Sequence, residues 1–281
     1  MTRQAAPSRD ANLLVLPQQR SVHSGGLPLD LVRPGEVTVF GGRPGMGCTS
    51  LALNLALALQ DRSPESAPAI YYDLDPQASS VEERLHTISG ALERRRVFVD
   101  RSLPMPLPLR LIAAPRATVV DLVAHAREQA RPSPPVAVVV DWVQRLFPHR
   151  GPWDASASSV AARTLRERRW ARAAASVVAS LRELAVDLQV AVVLLSALPR
   201  AIEYRADKRP VLGDFAEAVG LPVGAVDRFV ALFRADYYQE RGEVVSGEPM
   251  ELIVWDGDGQ ATKRLDLDLP TGRVTPWVAA D

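Results

Sequence analysis

A single cysteine, Cys48, stands in 281 residues, which excludes an internal disulfide and any zinc cluster built from cysteines. Lysine is almost as scarce. Lys208 and Lys263 are the only two, so arginine carries nearly all of the positive charge. Net charge is missing altogether, because 33 basic and 33 acidic side chains cancel. No global field therefore gathers nucleic acid or an anionic membrane, and any DNA contact has to come from a local patch. No stretch approaches the roughly 20 uncharged apolar residues of a membrane span, and the first residues lack the apolar core of a signal peptide. The expectation is a cytoplasmic protein without membrane contact. His23, His86, His125 and His149 are scattered. Glu82 and His86 share one helix face in SSVEERLHTISG, where a solvated face is a simpler reading than a metal site.

What is present is apolar material, 47% of the chain, enough for one large α/β domain. Residues 1–24 are polar apart from Leu13 to Leu16 and read as a flexible N-terminal arm, leaving 25–281 as the domain. From Gly35, short apolar runs alternate with amphipathic segments, the signature of a mostly parallel sheet crossed by helices. The strands predicted are EVTVF (36–40), AIYYDL (69–74), VAVVVD (136–141) and VAVVLLS (190–196). Helical spacing marks SLALNLALALQ, TVVDLVAHAREQA and ASVVASLRELAVDL. Further strands follow at DRFVALFR (227–234), MELIVW (250–255) and RLDLDL (264–269), and their alternation predicts antiparallel pairing at the C-terminal edge of the sheet. HRGPWDASASSV (149–160) is a loop by its Gly, Pro and Ser content, and it precedes an arginine-rich helix containing RTLRERRWAR. Phosphate binding by that helix is weighed against a solvated face, and the solvated face is preferred.

After the first strand comes Gly42-Arg43-Pro44-Gly45-Met46-Gly47-Cys48-Thr49. This fits the phosphate-loop spacing G-x-x-x-x-G-K-[ST] at every fixed position except the lysine. Glycines let backbone N–H groups converge on a phosphate at a helix N-terminus, where the dipole favours negative charge. Thr49 is placed to hold Mg²⁺, and Asp141, at the end of an apolar strand, is placed to complete that metal site. The bland alternative is a tight glycine turn. A lysine would bring a mobile positive charge to the phosphates, whereas the Cys48 thiol is a weak neutral donor. A hydrogen bond to a charged group contributes roughly 1.5 to 3 kcal/mol, so losing it weakens nucleotide by about tenfold to a hundredfold. A second reading makes Cys48 a redox sensor, since a helix N-terminus lowers a thiol pKa.

The fragments RPGMG, VVVDWVQRL and above all LLSALPRAIEYRADKRPVLGDFAEA resemble the C-terminal motor domain of DnaB-type replicative helicases. The last fragment is long and specific through Arg200, Glu203, Arg205, Asp207, Lys208, Arg209, Pro210 and Asp214. The similarity runs from about Gly25 to Trp277, with LFRADYY and MELIVW in order near the end. It covers the motor part of a full helicase and not its N-terminal helical domain. The resemblance implies a RecA-like P-loop fold with a mostly parallel central sheet flanked by helices, and antiparallel strands at the C-terminal edge.

Carrying the family's roles over position by position implies losses. The acid that activates water is a glutamate in the family and Asp75 here, one methylene shorter. The sensor glutamine is Ala197. The basic element that reaches the neighbouring subunit's nucleotide reads Trp255-Asp256-Gly257-Asp258-Gly259, so Asp256 and Asp258 stand where an arginine finger worth roughly 10³ to 10⁵ in rate is expected. The loop after Asp214, which touches DNA in the family, has Ala216 in place of an arginine. The expectation is a catalytically silent, DnaB-helicase-like binding or assembly factor connected with DNA replication or plasmid maintenance. It binds ATP or ADP with Mg²⁺ weakly or not at all. Its partner is another copy of itself or a helicase-like protein. The alternative is a slow ATP-dependent DNA helicase or ATPase in which another cation, Arg43 first, replaces the lysine.

Overall fold

The structure, a computed structural model, describes residues 13–15, 26–63, 67–75, 81, 83–85, 87–88, 109–147, 160–220, 224–239, 248–257 and 259–278, with backbone alone over 13–15 and 160–167. The predicted arm contributes three residues, Leu13–Val15, as strand β1. The remaining strands are β2 (Val37–Gly42), β3 (Ala69–Asp73), β4 (Leu109–Ala113), β5 (Ala137–Asp141), β6 (Ala191–Ala197), β7 (Arg228–Phe233), β8 (Met250–Asp256), β9 (Gly259–Asp268) and β10 (Arg273–Pro276). They form one sheet in the order β1-β4-β3-β5-β6-β2-β7-β8-β9-β10. From β4 to β7 all neighbours are parallel. β1 and the last three strands pair antiparallel, as the C-terminal alternation predicts.

Side chains alternate between the two faces of a strand, and the core divides accordingly. Val37, Val39, Ile70, Tyr72, Val138, Val140, Val192 and Leu194 enter one apolar layer. Phe40, Tyr71, Val139 and Val193 enter the other. β2, β3 and β5 are buried along their whole length, which is why they read as continuous apolar runs. On the first face lie α2 (Val119–Gln129) and α3 (Val160–Leu188). α3 offers Trp170, Ala174, Val177, Val178, Leu181, Leu184 and Ala185 at helical spacing. α2 begins at Thr118, whose hydroxyl accepts from the Asp121 amide while the Asp121 carboxylate accepts from Thr118, a reciprocal cap.

On the second face α1 (Cys48–Arg62) is buried almost all round, because the C-terminal strands close over it. Asn54 joins the two. Its amide donates to the carbonyls of Ser50 (2.7 Å) and Gly272 (2.9 Å), and its side-chain oxygen accepts from the Val274 amide (3.2 Å). β4 and β10 were not legible as strands, and the predicted loop after Asp214 is helical through Val219, as α4 (Leu212–Val219). No described helix is long and apolar enough to cross a membrane.

Between α2 and β3, His125 Nδ1 lies 2.7 Å from the Tyr72 hydroxyl. Burial holds His125 below its ordinary value of 6.5, with Arg110 adding to the effect and Glu128 opposing it. A histidine pKa depressed by folding contributes stability that is present above the unfolded value and lost as pH falls through the folded one. The contribution of His125 to urea stability should therefore be lost as pH falls below 6.5, read as the difference between wild type and a variant. The His125→Gln variant, which keeps an acceptor for Tyr72, should decline less steeply over that window.

Candidate functional site

β2 ends at Gly42, and its last pair in the parallel ladder is with Ala197. The chain then turns through Gly45 and Gly47 and enters α1 at Cys48. Gly47 has φ +97°, and a Cβ there would meet the Leu267 side chain at 2.7 Å. Both the conformation and the packing of the C-terminal strands therefore require glycine. At Gly42 a Cβ would lie 2.7 Å from the Cys48 sulfur. The thiol is thus pressed against the strand end and buried. Burial, and then the charge of Asp141, push its pKa far up. Removal from water disfavours the thiolate and shields the sulfur from oxidants, which weighs against the redox reading in spite of the helix N-terminus.

An open cleft runs beside this turn. It is lined by the loop residues Arg43, Pro44 and Gly45, by Thr49 and Ser50 of α1, by Arg84 and Trp142, and by Leu267, Leu269 and Gly272. Behind the cleft-lining Thr49, whose hydroxyl donates to Asp141 Oδ2 (3.0 Å), the Tyr71 hydroxyl donates to the same oxygen (2.6 Å). Three elements, α1, β3 and β5, meet on that one oxygen. The other, Oδ1, is buried without a hydrogen-bond partner among the described residues. Burial pushes the Asp141 carboxyl up to about 6, against the hydrogen bonds that favour its ionised form. A buried acid with an open oxygen beside a threonine hydroxyl suits a hard cation with oxygen ligands.

The cations divide into two groups. Arg43 donates to Glu203 Oε1 (2.8 Å) and to the Leu198 carbonyl (2.9 Å), so its guanidinium braces the loop and is not directed at a phosphate. Arg234 does the same from β7's end, donating to the Gly45 carbonyl (3.0 Å) while ion-paired with Asp236. The long family-like segment is likewise engaged internally. Arg205 forks onto Asp214, and Arg209 pairs with Glu251 while lying over the Phe233 ring. Arg84 differs. It lines the cleft, donates to Ser50 Oγ at 3.1 Å, and is close enough for its charge to act on Asp141. Sequence reasoning missed it, although VEERL carries an arginine just after the predicted strand.

Of the remaining predicted positions, Asp75 and Ala197 lie at the same end of the sheet as this cradle, Asp75 close enough for its charge to act on Asp141, whereas Asp256 lies away from it. Asp75 follows β3, with its carboxylate 4.0 Å from Arg145 and its amide donating to Asp73 (2.9 Å). Ala197 ends β6, and its carbonyl accepts from Gln144 Nε2 (3.1 Å), which also donates to Ser196 (2.7 Å). Asp256 ends β8, 3.9 Å from Arg228. Asp258, Glu82, His86 and the loop 149–159 lie outside the described residues. Lys263, Arg264, Arg168 and Arg169 do not line the cleft: Lys263 pairs with Asp30, Arg264 lies over Trp277, and Arg168 and Arg169 are exposed.

Comparison with known proteins agrees with this architecture. The chain is 28% identical over 222 residues to a replicative DNA helicase DnaB of Leifsonia xyli subsp. xyli, matching 74% of this chain and 45% of that one. It is 28% identical over 219 residues to a probable plasmid replicative DNA helicase of Chlamydia psittaci, 73% against 44%. The chain thus spans less than half the length of these relatives. Among solved structures, one described as an ATPase domain matches with a TM-score of 0.65 and 24% identity over 91% of this chain and 90% of its own. A DnaB-like replicative helicase studied with its primase interactions matches with the same score over 63% of its length. A family model described as the DnaB-like helicase C terminal domain matches residues 29–262, well over half of the chain, and the protein belongs to that family.

Proposed function

We propose that this chain is a catalytically silent DnaB-helicase-like protein, a binding or assembly factor that holds ADP or ATP with Mg²⁺ weakly and does not turn it over. One observation carries the reading: an ordered glycine turn over the N-terminus of α1 ends on a buried, neutral Cys48 thiol where the phosphate lysine belongs. The turn, Thr49 and Asp141 fit a phosphate tail and its cation. Bound Mg²⁺ would neutralise phosphate charge. The chain's own residues would bind and orient: loop amides and the α1 dipole would take the phosphate, and Thr49 and Asp141 the cation.

Support for silence comes from the positions around that pocket. Asp75 is one methylene short, and a displacement of about 1 Å costs on the order of a hundredfold in rate. Ala197 offers no polar side chain, and Asp256 is anionic where a neighbour's nucleotide would need a cation. The partner is a second copy of the chain or a helicase-like protein, and the pathway is DNA replication or plasmid maintenance, as the names of the relatives suggest. Any DNA contact would have to come from a local patch of α3 or the segment after α4. A second reading, a slow ATPase, is favoured by Arg84, whose guanidinium beside Ser50 is the cleft's one cation, among the described residues, not engaged in bracing the loop.

Calorimetry and steady-state phosphate release on wild type, Cys48→Lys and Arg84→Ala test this. Cys48→Lys restores charge complementarity to ground and transition states alike. Its affinity should rise about tenfold or more while phosphate release stays near background. Robust turnover from that single change would sink the silent reading. Arg84→Ala should lose a further order of magnitude, roughly, in affinity; if affinity holds, Arg84 makes no phosphate contact. Light scattering should give the same molar mass with and without ATP, and an ATP-dependent hexamer would count against an assembly role free of turnover.

A further inference from the structure

β3 and β5 lie side by side, and their register sets Asp73 opposite Asp141. Tyr71 and Val139, two residues earlier on each strand, both enter the apolar layer under α1. By the alternation of side chains, Asp73 and Asp141 share that face, on strands about 4.8 Å apart. Both are buried, at 1% and 2% exposure. Asp73 Oδ1 accepts from the Asp75 amide, and Asp141 Oδ2 accepts from Thr49 and Tyr71. That leaves Asp73 Oδ2 and Asp141 Oδ1, each buried and each without a hydrogen-bond partner among the described residues.

Two orphaned acid oxygens on neighbouring strand ends are costly twice over. Each has lost water without gaining a donor, and each repels the other. Burial, the larger cause, and the charge of Asp141 raise the Asp73 carboxyl to about 6. No lysine stands in the loop to offset them. A divalent cation removes both costs at once by taking an oxygen from each carboxylate.

We propose that Asp73 and Asp141 together hold a divalent cation of the Mg²⁺ or Mn²⁺ type in the absence of nucleotide. No group of three or more His, Cys, Asp or Glu with metal geometry occurs among the described residues, so a tetrahedral zinc centre is the wrong chemistry. Two carboxylates completed by water suit Mg²⁺ and Mn²⁺, which keep part of their hydration shell. The inference rests on Asp141 facing the cation position assigned to it above, but it does not need nucleotide to bind. The cation would stand in for the missing lysine charge, so phosphate would meet a site already carrying its metal.

The probe is Mn²⁺ itself, titrated into the full chain without nucleotide and followed by the loss of the free-ion electron paramagnetic resonance signal. Wild type should take up one Mn²⁺, displaced by Mg²⁺. Asp73→Asn should weaken uptake by tenfold or more, while Glu217→Gln, an exposed acid on α4, should leave it unchanged. Thermal denaturation gives an independent reading. Mg²⁺ should raise the Tm of wild type and not of Asp73→Asn, and without metal the variant should melt higher because the repulsion is gone. Mn²⁺ uptake unchanged by Asp73→Asn, or seen only once ADP is added, overturns the inference and leaves the nucleotide reading intact. Uptake by wild type alone with no ADP binding at any metal concentration upholds it and removes the nucleotide reading instead.

Discussion

The parallel strands are apolar on both faces, and the position of every polar group in the site follows from that constraint. A strand buried on both sides has no place for a charge along its length, so charges collect where the chain leaves the sheet. Because β2, β3, β5 and β6 run the same way, Gly42, Asp73, Asp141 and Ala197 arrive at a single edge. α1 starts at that edge and brings the dipole of its N-terminus to it. Asp141 then becomes the junction, since hydroxyls from α1 and from β3 meet on one of its oxygens.

The consequence is a site rich in buried acid whose nearby arginines are mostly committed elsewhere. Arg43, which lines the cleft, is engaged by Glu203 and the Leu198 carbonyl, and Arg234 by Asp236 and the Gly45 carbonyl, so their charge is spent in shaping the turn. The thiol at Cys48 contributes volume against Gly42 and no charge. With a thiol at this one position, the edge has acids facing Arg84 and, at Asp75, Arg145 among the described residues, and no lysine in the loop. The scaffold tolerates this because what stabilises it, the two apolar layers and the Asn54 clamp, lies behind the edge.

Most of the architecture was legible because burial on both faces leaves a plain signal: runs such as VAVVVD and VAVVLLS are short and rich in β-branched residues, which marks buried strand over buried helix. β4 was missed because LRLIA is short, carries Arg110 in its middle, and sits in a proline-rich stretch. β10 was missed because RVTP alternates too briefly to register, and its place is set by long-range partners, the pairing with β9 and the Asn54 contact with Val274. The phosphate loop was readable from glycine spacing. Arg84 was not, because its approach to Ser50 depends on how the segment after β3 folds back over α1, which no local pattern encodes. Arg43 illustrates the opposite error: its place in the motif suggested a phosphate ligand, but a partner 160 residues away, Glu203, engages it. The pairing of Asp73 with Asp141 was equally hidden, since strand register brings together residues far apart in the chain.

The two ends of the sheet bear on how the protein behaves in concentrated solution. Equal numbers of acidic and basic residues leave it without the mutual repulsion that keeps many proteins dispersed. An exposed strand edge in such a molecule is a template for pairing with another chain. Here, among the described residues, the sheet ends on one side with β1 and on the other with the four residues of β10, which cover Leu265–Asp268 of β9 and close with Pro276. Short strands offer few open amides and carbonyls, and a proline offers no amide at all. Along Arg273–Pro276 the brevity of β10 and its closing proline limit the open edge, a geometric safeguard that takes the place of charge over that stretch.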